Sequence, residues 1–328
     1  FRPFWESFRR VKRHTVVGIL IFSLALAPMV LREYWINLCS QALLYATVAA
    51  GLVLLVGKTG LPSLGHGVFF GLGGYGTAMA ITRLGMNPWG ALVSGVLLSV
   101  AVAACFAPLA ARTKNIGFLT ITLAFGQVIW GLATRGGEFT GGENGITGVM
   151  RPSSGLGFWD LREATGFYYL TLAFAAMIML ALSRFSSSPV GLSLVALRDS
   201  PSRMMSMGYN VHMRKTMVFI ISASVAAMSG TLSAIYNGYV GPSALDWRLS
   251  AQLMLAVVVG GAHSIWGAFL SGAGLHVLKI YLTGFTERWP MVLGLIYVIV
   301  VVILPEGLTS FGSQVKRIKF VFLDRGCL

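Results

Sequence analysis

Ten apolar stretches follow one another along this sequence, each about as long as a helix that crosses a lipid bilayer. They run approximately over residues 15–31, 36–56, 60–82, 88–111, 115–134, 165–183, 214–236, 249–263, 266–284 and 289–304. Charged residues make up 11% of the chain, whereas soluble domains carry roughly 25%. We therefore predict an all-α fold, a polytopic helical membrane protein with about ten transmembrane segments.

The distribution of basic residues indicates the orientation, because Lys and Arg concentrate on the cytoplasmic side of membrane proteins. With the N-terminus inside, 17 of these residues face the cytoplasm, seven face outside and Lys279 falls within a stretch, which accounts for all 25. We therefore predict that both termini are cytoplasmic. The chain then divides into a basic N-terminal segment (1–14), a transmembrane region (15–304) with an external loop at 135–164 and a cytoplasmic loop at 184–213, and a basic tail (305–328).

The net charge of +14 lies mainly on the cytoplasmic face in this arrangement, where anionic membrane lipids attract it. In a soluble protein such a charge would suggest nucleic-acid binding, but the topology accounts for it here and we expect no nucleic-acid partner. The first stretch resembles a signal peptide. Because further stretches follow it directly, we favour an uncleaved helix. The chain starts at Phe1 rather than Met, so we expect further residues upstream.

The third stretch is unusually rich in glycine, with six glycines between Gly65 and Gly76. Such a backbone is tolerated at membrane depth where neighbouring protein or a water-filled cavity surrounds it, so the segment should be internal. Gly67 and Gly71 form a small-residue face suited to close helix packing. Packing alone and packing combined with lining a translocation path remain equally supported. The candidates for the path are Ser63, Gly65, His66, Gly67 and, from the fifth stretch, Gln127.

The acidic residues all lie at the ends of stretches or in loops. Ion-coupled transporters usually keep ionisable residues inside the membrane, so the energy for uphill transport would come from another protein. We interpret Lys279 as facing a wet interface rather than a substrate. The amides Asn37, Gln41 and Gln252, and Gln127 too, are more often bridges between helices than ligand contacts.

No motif for nucleotide hydrolysis, zinc proteolysis or a nucleophile elbow occurs in the sequence. We therefore predict a transporter subunit, not an enzyme, that binds no metal or cofactor itself. Two alternatives remain: a stand-alone secondary transporter, and a membrane-embedded hydrolase that uses Ser63 and His66. The hydrolase lacks an evident third group to orient the histidine.

The cytoplasmic segment from Pro189 to Asn210 carries the strongest signal for a docking site. Ser200 is suited to cap a short helix with Pro201 at its first position, and Gly208 is suited to end it. Around this helix lie Arg198, Asp199 and Arg203 and the flexible methionines Met204, Met205 and Met207, which are typical of an adaptable contact surface. The plain alternative is a solvated loop that only connects spans.

Four motifs occur in order: Gly60 to Tyr75, Thr140-Gly-Gly-Glu-Asn-Gly-Ile, Ala196-Leu-Arg-Asp-Ser-Pro-Ser-Arg through Gly208-Tyr-Asn-Val, and Val259-Gly-Gly-Ala-His-Ser-Ile-Trp-Gly. Together they resemble the LivM-type permeases of the branched-chain amino acid ABC importers, and the resemblance covers nearly the whole chain. Two features depart from the family pattern. Asp199-Ser200-Pro201 follows the loop arginine where an acidic or amide pair is usual, and His263 stands where glycine is more usual.

The resemblance implies a bacterial inner-membrane importer with several partners. They are a LivH-type second permease, two cytoplasmic ATPases of LivG and LivF type that bind ATP and Mg²⁺, and a periplasmic substrate-binding protein. Arg198 to Gly208 would be the coupling helix that seats in an ATPase, and the periplasmic loop with Gly141, Gly142 and Asn144 would contact the binding protein. Branched-chain amino acids are the expected substrates, and related permeases for urea, amides or aromatic acids are the alternative.

Overall fold

The computed structural model describes residues 24, 26–29, 31–152, 161–303 and 307. The described chain is mostly helical, and we label its helices in chain order. They are α1 (Glu33–Val53), α2 (His66–Thr82), α3 (Pro88–Ala110), α4 (Asn115–Arg135), α5 (Ala164–Ser187), α6 (Pro189–Asp199), α7 (Pro201–Ser206), α8 (Val211–Asn237), α9 (Trp247–Gly260), α10 (Ile265–Phe285) and α11 (Trp289–Ile303). Two short strands, β1 (Ile146–Thr147) and β2 (Tyr239–Val240), pair antiparallel with Ile146 opposite Val240.

Six of the described helices are long and apolar enough to cross a membrane: α1 with its π-helical extension Leu54–Lys58, and α3, α4, α5, α8 and α10. The others at predicted spans are shorter, with 17 residues in α2, 14 in α9 and 15 in α11. The chain is thus a mostly helical, polytopic membrane protein. The total of about ten crossings and the cytoplasmic position of the termini stay predictions. Most of the first stretch (15–31), the segment 1–14 and most of the tail 305–328 lie outside the described residues.

Two predicted boundaries were wrong. The third stretch was expected to be helical from residue 60, but α2 begins at His66. Gly60 has a positive φ of 69°, and Pro62 lacks the N–H that a helix interior needs, so the chain enters α2 in an extended form. The cytoplasmic segment 184–213 was expected to be a loop around one short helix. Instead α5 continues to Ser187, and α6 forms before α7.

Helices α1 and α8 form the centre of the bundle. In each, 78% of the most apolar window is buried, compared with 28% in α3 and 22% in α4. The large side chains that fill the interior between them include Phe69, Phe219 and Leu52, all at most 1% exposed. The more exposed faces of α3 and α4 are those that lipid or a second subunit would cover.

Close approach of α2 to its neighbours depends on glycine. A Cβ at Gly73 would lie 2.4 Å from the carbonyl oxygen of Ala227 in α8, and one at Gly95 in α3 would lie 2.5 Å from the carbonyl oxygen of Gly73. Gly71 packs in the same way against Leu245, whose Cδ2 would be 2.4 Å from an added Cβ. The prediction of close packing in this segment is confirmed, because a side chain at these positions would force the helices apart.

Residues predicted to share a side of the membrane meet at the same end of the bundle. At one end, Arg198 lies against Gly57 and His263. At the other end, Arg151 donates to the carbonyl of Tyr236, and β1 pairs with β2. The alternation of segment direction is therefore as the sequence indicated. Which end faces the cytoplasm remains a prediction from the basic residues.

Candidate functional site

The predicted docking segment is a pair of helices, α6 and α7, joined at Ser200. The Ser188 hydroxyl accepts a hydrogen bond from the Gly191 N–H at 3.2 Å, and Pro189 occupies the first turn, so α6 begins with a regular cap. Leu194 and Leu197 are 0% and 1% exposed and anchor α6 to the bundle. Helix α6 is therefore packed against the transmembrane core and is not a free loop.

Helix α7 begins where Ser200 interrupts the chain, with φ −155° and ψ 88°. The predicted cap by the Ser200 side chain was wrong. Its carbonyl, not its hydroxyl, accepts from the Met204 N–H at 3.2 Å, and Pro201 at the first position offers no N–H. The predicted end at Gly208 is confirmed, because Gly208 has a φ of 83°, a conformation that favours glycine.

The surface of α7 is apolar and exposed. Met204 faces inward at 5% exposure, whereas Met205 and Met207 are 58% and 67% exposed. Arg203 and Tyr209 are exposed on the same short segment. Two exposed methionines beside an arginine form a surface that a protein partner can cover.

Arg198 has a different role from its neighbours on α7. Its Nη1 donates to the carbonyl of Gly57 at 2.8 Å, in the π-helical end of α1, and it contacts Nε2 of His263 in the turn between α9 and α10. Its Cγ also packs 3.1 Å from the Cβ position of Gly60. Arg198 therefore ties the docking segment to two other parts of the bundle, although the sequence suggested a contact with a partner.

His263 forms the other half of this contact. Burial lowers the pKa of His263, and the nearby charges of Arg198 and Lys58 lower it further, while Asp199 acts in the opposite direction. A neutral imidazole can accept a hydrogen bond from the guanidinium. The residue that departs from the usual family pattern thus pairs with the predicted coupling arginine. Asp199 is exposed beside this contact.

The glycine-rich segment places Ser63 and His66 in the interior. The Nδ1 of His66 lies 2.9 Å from the Ser63 hydroxyl, and both side chains are 0% exposed. The Gly67 N–H donates to the Ser250 hydroxyl at 2.8 Å, and an added Cβ at Gly65 would meet the carbonyl oxygen of Thr122 at 2.9 Å. These four positions are brought together, but in a packed region closed to solvent within this chain.

Gln127 is not part of that packed region, because it lies on the exposed side of α4. The role of these five residues in a translocation path stays a prediction. The arrangement gives no support to a hydrolase. A nucleophilic serine needs access to substrate, and the Nε2 of His66 has no hydrogen-bond partner among the described groups.

A polar cleft of about 320 Å³ lies elsewhere, between α2, α8, α9 and α10 and the segment that follows β2. Its polar and aromatic lining includes Tyr45, Phe70, Asn237, Asp246, Arg248, Gln252, Lys279 and Trp289. Lys279 Nζ donates to Gln252 Oε1 at 3.3 Å and lies 5.3 Å from the Trp289 ring centre. Lys279 thus lies in the wall of this cleft, and its position at a wet interface stays a prediction.

The amides near the cleft bridge helices, as predicted for Gln41 and Gln252. Gln41 in α1 donates to Asn237 Oδ1 at the end of α8, at 3.3 Å, and Gln252 joins α9 to α10 through Lys279. The ring of Tyr45 stacks on His276 with centres 4.1 Å apart. Polar side chains from four helices therefore converge at one place.

The loop after α4 lies at the same end of the bundle as the mouth of this cleft. Gly141 and Gly142 both have positive φ values, 76° and 58°, and lead into a single turn that ends at Asn144, which is exposed. A second groove of about 390 Å³ runs beside it and includes Trp130 and Glu143. Docking of a binding protein at Gly141, Gly142 and Asn144 stays a prediction.

Residues 34–304 match the family model described as "Branched-chain amino acid transport system / permease component". The chain belongs to this family. Among its relatives, the permease protein LivM of Escherichia coli (strain K12) is 28% identical over 325 residues, which cover 93% of this chain and 76% of that protein. The permease protein LivH of Salmonella typhimurium is 23% identical over 284 residues, which cover 80% of this chain and 90% of LivH.

A solved structure, PsaBC from Streptococcus pneumoniae in complex with Fab, is also similar to this chain. The match covers 87% of this chain and 97% of the PsaBC chain, with 16% sequence identity and a TM-score of 0.44.

The relatives of this branched-chain permease are named as transport permeases, not enzymes. The recognition of a LivM-type permease is confirmed, and so is the prediction of a transport permease subunit.

Sequence reasoning did not find the polar cleft of this permease. Its lining comes from positions as far apart as Tyr45 and Trp289, and each amide is unremarkable within its own stretch. The one available signal was Lys279, the basic residue inside a span, because an intramembrane charge marks a functional site by default. The sequence also gave no indication that His263 would meet Arg198.

Proposed function

We propose that this chain is the LivM-type permease subunit of an ATP-binding cassette importer in a bacterial inner membrane, moving branched-chain or related amino acids. In this proposal it pairs with a LivH-type permease, two ATPases of LivG and LivF type dock on its cytoplasmic face, and a periplasmic binding protein delivers the solute. The family match and the names of the relatives support the transport role. ATP and Mg²⁺ are bound by the ATPases, and this chain binds no cofactor.

The observation that carries the proposal is the exposed surface of α7 on a helix pair anchored in the bundle. Met205 and Met207 are more than half exposed, and Arg203 lies beside them. An importer without carboxylates at membrane depth draws its energy from a bound protein, and this surface offers that protein a place to bind. The charge pattern supports a cytoplasmic position for this surface, on the side where ATP is available.

The contact made by Arg198 supplies a route for the movement. When the ATPases close, they displace α7 and the adjoining helix α6. The bundle follows α6 because Leu197 is buried in it. Arg198 passes the displacement to Gly57 at the end of α1 and to the α9–α10 turn at His263. Helices α1, α9 and α10 also contribute to the cleft. Movement at one end of the bundle thus changes the shape of the cleft, which lies nearer the other end.

The test uses the whole complex, assembled with both permeases and both ATPases in proteoliposomes. The double variant Arg203→Glu, Met205→Glu should lose ATPase co-purification and ATP-dependent uptake, because it adds two carboxylates to the docking surface. Arg198 is left unchanged, since its internal contacts would confuse the result. Arg135→Glu makes one of these substitutions, arginine to glutamate, at the opposite end of the bundle, and it should retain ATPase co-purification.

Full ATPase co-purification and native uptake by the double variant would refute the docking role of α7. Uptake by this chain alone, without ATP and driven by an ion gradient, would instead establish a stand-alone secondary transporter. Competition assays address the substrate. Leucine, isoleucine and valine should compete with radiolabelled leucine for uptake, whereas urea, short amides and aromatic acids should not.

A further inference from the structure

The polar cleft reaches from one end of the bundle towards its middle. Lys279 lies six residues before the end of α10, and Gln252 lies five residues after the start of α9. At 1.5 Å per residue, these positions are about 9 and 8 Å below the end of their helices that the charge pattern places outside. Tyr45 is twelve residues into α1, about 18 Å from the same end. A solute that enters from outside therefore meets Lys279 before it reaches Tyr45.

Lys279 carries a charge that no carboxylate balances within the described residues. Its ammonium contacts the neutral oxygen of Gln252 and the face of the Trp289 ring. The ion pair in the described part of the cleft joins Asp246 to Arg248 at 3.6 Å and does not involve Lys279. A cation at membrane depth is unfavourable without a counter-ion, so the site is suited to an anionic group that arrives with a ligand.

The remaining walls suit a small molecule with a polar head and an apolar tail. Amides and hydroxyls, among them Asn237 and Ser233, lie around the cleft, while Phe70, Leu249 and Tyr45 provide an apolar and aromatic surface. A volume of about 320 Å³ is enough to hold an amino acid. Gly74 and Gly230 form part of one wall.

We propose that this cleft binds the amino acid solute during its passage, with the α-carboxylate on Lys279 Nζ and the aliphatic side chain against Phe70 and Leu249. The site rests on the proposed function, since it names where the transported solute is held. Gln252 positions the ammonium and its amide nitrogen is available to the same carboxylate. The indole of Trp289 covers the ammonium on another side.

Gln252→Glu provides the decisive variant, because it keeps the shape of the side chain. It places a carboxylate at the position of an oxygen that is 3.3 Å from Lys279 Nζ. The ammonium then has an internal partner, and the new carboxylate repels the carboxylate of the solute. A second variant, Lys279→Met, removes the charge and keeps an unbranched side chain one atom shorter, and Lys279→Arg restores a cation. Lys114→Met makes the matched change at an exposed position at the other end of the bundle.

The experiment measures equilibrium binding of radiolabelled L-leucine to the assembled complex in nanodiscs, without the binding protein. Native complex and Lys114→Met should bind leucine saturably, and L-leucinamide, which lacks the carboxylate, should bind about 10- to 100-fold more weakly. Gln252→Glu and Lys279→Met should lose leucine affinity by a similar factor while co-purifying with all partners. Lys279→Arg should recover most of it.

Leucine binding that is unchanged in Gln252→Glu, equal affinity for leucinamide, or no saturable binding by a native complex that takes up leucine would overturn the site. A variant that fails to assemble is replaced by the leucine and leucinamide comparison on native complex, which needs no substitution. Failure of the native complex to take up leucine with ATP would instead refute the proposed function. The two proposals thus fail by different results.

Discussion

Replacing Gly230 by alanine should push apart the two helices that form one wall of the cleft. A Cβ at Gly230 in α8 would lie 1.8 Å from the carbonyl oxygen of Phe70 and 2.6 Å from its carbonyl carbon in α2. Non-bonded heavy atoms need about 3.5 Å, so the backbones would have to separate by roughly 1.7 Å. The obstacle is backbone rather than the end of a flexible side chain, and no rotamer change relieves it.

Overpacking of a close-packed interior costs about 1–3 kcal/mol, and we expect Gly230→Ala to lie near the upper limit, at about 3 kcal/mol. The melting temperature of the complex should then fall by about 5 °C or more. Thermal denaturation followed by fluorescence-detected size-exclusion chromatography measures this change. Because Gly230 and Phe70 both line the cleft, leucine uptake at permissive temperature should fall too.

Gly131→Ala is the matched control, because nothing lies within 4 Å of an added Cβ in α4. Alanine is favoured over glycine in a helix by about 1 kcal/mol, so this variant should melt at or slightly above the native temperature. Equal melting temperatures for Gly230→Ala and native complex would refute the argument that backbone contact sets the spacing of α2 and α8.

Three further predictions concern the two ends of the bundle. Arg198→Lys should keep ATPase co-purification but lower ATP-dependent uptake several-fold, because an ammonium cannot reproduce the guanidinium contacts; parallel uptake and pull-down assays distinguish this from lost docking. Burial and the charge of Arg198 lower the pKa of His263 in the folded protein, whereas in the unfolded chain it is about 6.5. Below that pH the unfolded chain therefore binds more protons than the folded protein. Stability should therefore be highest above that pH and decrease as the pH falls through the folded pKa. Melting curves between about pH 5 and 7.5 should lose this dependence in His263→Gln but not in His212→Gln. Arg151→Ala removes the hydrogen bond to the Tyr236 carbonyl and should speed limited proteolysis after α4 while leaving ATPase co-purification unchanged.

Much of the fold could be predicted because a membrane-spanning helix can be recognised from the composition of its own segment. Apolar length predicted helices at the positions of α1, α3, α4 and α5, since the lipid requires each spanning backbone to satisfy its own hydrogen bonds. Glycine density in α2 predicted close packing, because only small residues let helix backbones approach. Pro201 and Gly208 marked the start and end of α7 for reasons that lie within the chain itself.

The candidate sites were less accessible to sequence reasoning. Arg198 was assigned to partner docking, but its guanidinium is committed to Gly57 and His263. Ser63 and His66 were candidates for the path, and both are fully buried in this chain; their role in a path stays a prediction. In each case the residue type indicated a polar contact, but the sequence did not indicate in which direction the side chain points.

The amino-acid sequence alone determined that this protein lies in a lipid bilayer, that its spans are helical, that its charge is asymmetric and to which family it belongs. These properties depend on local composition, because each segment enters the bilayer or stays in water according to its own apolar length and charge. Tertiary structure alone decided that Lys279, Gln252 and Trp289 meet, and that Arg198 reaches across to α1. Such contacts depend on how helices that are distant in sequence rotate and cross, and packing between whole surfaces sets those angles.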